Sequence, residues 1–221
     1  MGKFWHMKTY NASDTIKKVS FLLETKEKFA FVTYTRSAIF SAIGEVKGEK
    51  KPPKNFTKHI LNGLQMQSDN FVCAIQTDLV NSSLNKFKEL NIDTDYFYDP
   101  SFLEYYINNN YDVFKTFTSW YLKHTKSVVV SFQNEMYINK YFCSDSTFIQ
   151  VPYNDFYSKV DLITKEIVSK TNKADLLIFD CPMLSSAIAP KIWAETDMSI
   201  FDLGRTLNAA RSLLKTNDSK K

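Results

Sequence analysis

Three short runs in this chain lack the polar alternation of a half-exposed strand: Phe29-Ala30-Phe31-Val32-Thr33-Tyr34, Val128 to Phe132, and Leu176 to Phe179. A strand with one face in water alternates, whereas a continuous apolar run is buried on both faces. That pattern marks a parallel sheet sandwiched between helices. Three further β-rich runs, Phe71 to Ile75, Phe148 to Val151 and Ser199 to Phe201, are separated from these by helical periodicities. The fold class expected is therefore α/β: a Rossmann-like, mostly parallel sheet of about six strands with helices on both faces. One domain is expected over residues 1–214, with a disordered polar tail over 215–221.

The last third of the chain indicates where a ligand would sit. Ala174 to Pro190 reads as strand, polar loop and helix, and a second strand ends in Asp202-Leu203-Gly204. Asp180, Ser185, Ser186, Asp202 and Gly204 then fall at the carboxyl ends of neighbouring strands, the edge at which open α/β sheets bind nucleotides. Thr35-Arg36-Ser37, read as a turn after the first strand, reaches the same edge. An arginine fork between two hydroxyls at a helix start suits a diphosphate, and a surface ion pair is the alternative. Arg205 is a second phosphate cation. Asp180 is the first candidate for a general base, or else a helix cap; Glu135, after the run Val128 to Phe132, is the second. Asp202 either holds a sugar or nucleoside hydroxyl or braces its turn.

Composition narrows the chemistry. Only 5 glycines occur in 221 residues, and none lies in Thr35-Arg36-Ser37-Ala38, directly after the first strand. A dinucleotide fingerprint, a P-loop and a glycine-rich methyltransferase loop are all missing. Three widely spaced cysteines form no zinc or disulfide pattern, which fits reduced thiols in a cytoplasmic protein. No apolar run reaches the length of a membrane span. The net charge of +4 allows a polyanionic partner without requiring one. The densest basic stretch carries Lys47, Lys50, Lys51 and Lys54, either a solvated loop or a track for a nucleic-acid backbone. Tyr105, Tyr106, Trp120 and Tyr121 read as core.

The order of these pieces resembles the GT-D-type glycosyltransferases. Val32 to Phe40 with Gly44 is similar to the family's strand and R-Y-G-D-G-E loop. Phe148 to Asn154 resembles a family strand ending in proline, and Leu176 to Pro190 with Ile200 to Gly204 its closing strands. The resemblance implies a nucleotide-sugar donor, with a UDP-sugar first, and an acceptor hydroxyl on a glycan, a glycoprotein or a modified base of phage DNA. In the phage case the enzyme would work in the host cytoplasm. The family's Asp-x-Glu metal pair is replaced here by Arg36-Ser37-Ala38, so a divalent metal is not carried over. Either Arg36 takes over the diphosphate, or the chain is a non-catalytic binding protein derived from that fold.

Overall fold

The computed structural model describes residues 7–45, 52–92, 94–135, 139–153, 156–171 and 174–210. Lys47, Lys50 and Lys51 and the polar tail lie outside the described residues. The strands are β1 (Lys8–Thr9), β2 (Ala30–Thr33), β3 (Phe71–Ala74), β4 (Tyr96–Phe97), β5 (Ser127–Ser131), β6 (Thr147–Gln150), β7 (Leu176–Asp180) and β8 (Ser199–Asp202). Six of them form one sheet in the order β3-β2-β8-β7-β5-β6, and every pairing in it is parallel. All six expected strands are present to within a residue or two of their expected ends.

β2, β3, β5 and β7 are buried along their whole length, as continuous apolar runs require. The edge strand β6 is only partly covered. β3 would be the other bare edge, but β4 lies alongside it. Ala74 bridges to Tyr98, and the Ile75 amide donates to the Tyr98 carbonyl at 2.9 Å. β4 pairs in turn with β1, so the exposed edge of the sheet is closed off. Sequence reading missed both strands because two residues carry no period.

The helices are α1 (Ala12–Thr25), α2 (Arg36–Ala42), α3 (Lys54–Gln65), α4 (Thr77–Glu89), α5 (Phe102–Asn109), α6 (Tyr111–Phe117), α7 (Val160–Thr171) and α8 (Pro182–Glu195), with further helix over 206–210. One core layer packs Val32, Val130, Leu177 and Phe179 against α2, α3, α4, α7 and α8. The other packs Phe31, Val129, Ile178 and Phe201 against α1, α5 and α6. A π-helical turn, Thr118–Leu122, continues α6. It leaves Trp120 67% exposed, and Tyr105 is 51% exposed, so these two aromatics are surface residues rather than core.

Helix starts differ from expectation in two places. Thr35 is the N-cap of α2, its hydroxyl accepting from the Ala38 amide, so Arg36 and Ser37 are helical rather than turn residues. α8 begins at Pro182, which is suited to a first helical position. Ser185 and Ser186 therefore lie inside α8 instead of opening it, and Cys181, not Asp180, holds the cap position. Asp78 sits in the first turn of α4, after the cap residue Gln76.

Candidate functional site at the carboxyl rim of the sheet

Asp202 closes β8 and is 1% exposed. Its Oδ2 accepts from the Thr33 amide at 3.1 Å and from the Ser185 hydroxyl, and its Oδ1 accepts from the Gly204 amide at 2.8 Å. One carboxylate thus joins β2, β8 and α8. Gly204 has φ +61°, and a Cβ there would stand 3.3 Å from the Pro100 carbonyl oxygen. The turn needs glycine for both its backbone and its space. The geometry of Asp202 is that of a turn-bracing group. Ser186 is fully buried and its hydroxyl donates to the Met183 carbonyl.

Asp180 closes β7 and is 3% exposed. Its Oδ2 accepts from the Ser131 hydroxyl at 2.8 Å, and its Oδ1 has no hydrogen-bond partner among the described residues. Register alternation sends the two carboxylates to opposite faces: Asp202 stands beside Phe179, and Asp180 beside Ser131. Burial pushes both carboxyl groups up to about 7. For Asp180 the Ser131 hydroxyl opposes that rise, the charge of Asp202 adds to it, and the Leu207 amide pulls down without making a hydrogen bond to Oδ1. For Asp202 the hydroxyl and two amides all favour the charged form, against a desolvation that outweighs them.

Arg36 is at the same rim, but its guanidinium is already engaged. Nη2 lies 2.7 Å from Asp78 Oδ2, with the two side chains 59% and 62% exposed, and the guanidinium carbon stands 5.7 Å from the Phe40 ring centre. Asp78 was not visible as a site residue because the pair spans 42 positions. Ser37 is exposed beside Arg36. Arg205 is exposed and makes no ion pair among the described residues. Glu135 is exposed and lines a cavity of about 210 Å³ at the ends of β5 and β6. Lys54, the described part of the basic stretch, is exposed at the start of α3.

The described residues at this rim do not fit a divalent metal. The loop after β2 offers a cation and hydroxyls, and the rim's two buried carboxylates project to opposite faces. Among the described residues no three His, Cys, Asp or Glu side chains gather into a metal-binding group. A larger hollow, about 890 Å³, opens at the opposite rim between Lys26, His124, Asp175 and Asp197. Size does not make it the better site. Among the described residues of the six-stranded sheet, the buried polar atoms without partners at strand ends, Asp180 Oδ1 and Thr33 Oγ1, are at the carboxyl rim. No described helix is long and apolar enough to cross a membrane.

No protein-family model matches the sequence, and no curated protein matches it. Solved structures do. A glycosyltransferase (DUF1792) from Streptococcus sanguinis superposes with a TM-score of 0.73 at 12% identity, over 96% of this chain and 86% of that one. A selenomethionine-substituted domain of unknown function 1792 gives 0.72 at 11% identity, over 96% and 83%. A third, described as domain of unknown function 1792 with a distinct glycosyltransferase fold, gives 0.69 at 10% over the same shares. The chain has the fold of these glycosyltransferase structures. At such identity the likeness is one of architecture, and the chemistry has to be argued from this chain's own residues.

Proposed function

We propose that this protein is a glycosyltransferase that moves a sugar from a nucleoside diphosphate donor to an acceptor hydroxyl. The observation that carries the reading is the agreement of fold with glycosyltransferase structures across 96% of the chain. The donor, a UDP-sugar first, lies over β2, β8 and β7. Arg36 and Arg205 neutralise its diphosphate, helped by the hydroxyls of Thr35 and Ser37. Two guanidiniums at the leaving group supply the charge stabilisation that such a transfer needs, so no step runs through a metal. Asp202, Ser185 and Gly204 hold the wall of the pocket in shape, and Ser186 packs behind it.

Asp180 is the base. One oxygen is held by Ser131, the other has no partner, and burial has raised its carboxyl towards neutrality, where a base works best. It takes the acceptor proton, the acceptor oxygen bonds to the anomeric carbon, and the bond from that carbon to the diphosphate breaks with its electron pair. Glu135 is the alternative base.

Thermal-shift measurements with UDP, GDP and their sugars, with and without manganese, test the reading. Stabilisation by a nucleotide without manganese is the expected result. Absence of stabilisation by every nucleotide, with or without the ion, would overturn it in favour of a non-catalytic protein built on this fold.

A further inference from the structure

The register of the sheet sets three polar residues abreast at its carboxyl rim. Gln150 on β6 is the partner of Ser131 on β5, and Ser131 is the partner of Asp180 on β7. Parallel partners project to the same face, so one row runs from the exposed sheet edge to the buried carboxylate. A cavity of about 210 Å³ opens over the outer part of this row. Gln150, Ser131, Gln133, Asn134 and Glu135 give it polar groups, Val129 and Ile149 add apolar wall, and Phe148 is its one aromatic among the described residues.

We infer that this cavity is the acceptor subsite and that it takes a single pyranose ring of a glycan. The inference rests on the glycosyltransferase reading and adds the class of acceptor to it. Size excludes the donor, because pockets that enclose a drug-sized molecule run from about 300 to 1,000 Å³. The lining chemistry selects a polyol: amides donate and accept, the carboxylate accepts, and the serine hydroxyl does both. These groups suit a ring bearing several neighbouring hydroxyls. A nucleobase swung out of DNA is a poorer fit, since such bases are stacked between facing aromatic or apolar walls, whereas the described lining has a single ring among five polar side chains. The lining also holds no Lys or Arg and carries Glu135, whereas a nucleic-acid backbone needs cations.

Position supports the same assignment. Adjacent strands lie about 4.8 Å apart, so the cavity is within about 10 Å of Asp180. Asp180 on β7 then stands between a donor over β2 and β8 and an acceptor over β5 and β6. A base has to lie between donor and acceptor, and the strand order β2-β8-β7-β5-β6 provides that arrangement. The second observation at the rim is Asp180 Oδ1, nine-tenths or more buried and without a hydrogen-bond partner among the described residues.

Saturation-transfer NMR on the full chain tests this, with the methyl glycosides of glucose, galactose and N-acetylglucosamine as probes and UDP and GDP as separate ligands. At least one glycoside is expected to give a signal that falls at least fivefold in Gln150→Phe, which fills the cavity. The same fall is expected in Asn134→Ala, a milder change on a loop, should the first variant fold poorly. Nucleotide binding is expected to persist in both. Nucleotide binding in the wild type with no glycoside signal, or with a signal indifferent to both variants, would overturn the acceptor subsite and leave the glycosyltransferase reading standing. A single-stranded DNA oligonucleotide whose binding is lost in the variants would overturn it in favour of a base pocket. A glycoside signal that the variants abolish, without any nucleotide binding, would uphold the sugar pocket and sink the donor reading.

Discussion

At the scale of single residues, Arg36 presents a competition that can be measured. Its ion pair with Asp78 is more than half exposed on both sides. Pairs of that kind contribute only about 0–1 kcal/mol. A diphosphate offers more charge and a bidentate acceptor, so it can draw the guanidinium away from Asp78. Arg36→Ala should therefore weaken UDP affinity about tenfold or more, equal to about 1.4 kcal/mol. Asp78→Asn should leave it unchanged or tighten it by up to about fivefold. Calorimetric titration of both variants checks this. Equal weakening in both would mean that the pair shapes the rim and that Arg36 does not touch the nucleotide. Arg36 was legible in the sequence as a rim residue, since it stands two residues past the buried run Phe29 to Tyr34. Its partner was not, because Asp78 follows a different strand and only the β2–β3 pairing brings the two loops together.

At the scale of elements, the strands were legible because burial on both faces writes itself as an unbroken apolar run. Helix starts were less so. Ser185 looks like the opening residue of a helix, and only tertiary structure explains it: its hydroxyl donates to Asp202, 17 residues on, from inside α8. The contact of α3 with α8 has a similar hidden term in Gly63. A glycine inside a helix ordinarily costs about 1 kcal/mol relative to alanine. Here a Cβ would stand 2.2 Å from the Tyr34 hydroxyl oxygen and 2.6 Å from Pro190 Cγ. Tyr34 is fully buried and Pro190 sits inside α8, so neither can yield cheaply. Gly63→Ala should reverse the usual preference and destabilise the protein by about 1–3 kcal/mol, the cost of overpacking a filled core. Adding Tyr34→Phe should recover part of that loss, because it removes the atom that stands nearest the new Cβ. Urea unfolding of the two variants decides it; a stabilised Gly63→Ala would refute the account.

At the scale of the whole molecule, the two rim carboxylates couple folding to pH. Asp180 and Asp202 have carboxyl groups near 7 when folded and near 3.8 when unfolded, because burial penalises their charge. Below about pH 4 both states hold the protons and the groups contribute no difference. Between about 4 and 7 the native state keeps protons that the unfolded chain has released, so stability falls as pH rises through that window and levels off above it. The strain of holding charge at the rim is thus greatest at neutral and alkaline pH, where a base must be ionised to act. Unfolding by urea should give a higher midpoint at pH 5.5 than at pH 8. Asp180→Asn should roughly halve that difference, since one of the two titrating groups is gone. Asp202→Asn is a poorer test, because the side chain accepts from three donors on three different segments and the amide cannot satisfy them all. A wild-type midpoint that climbs from pH 5.5 to pH 8 would mean that the internal donors outweigh burial and that both groups enter the folded state already charged.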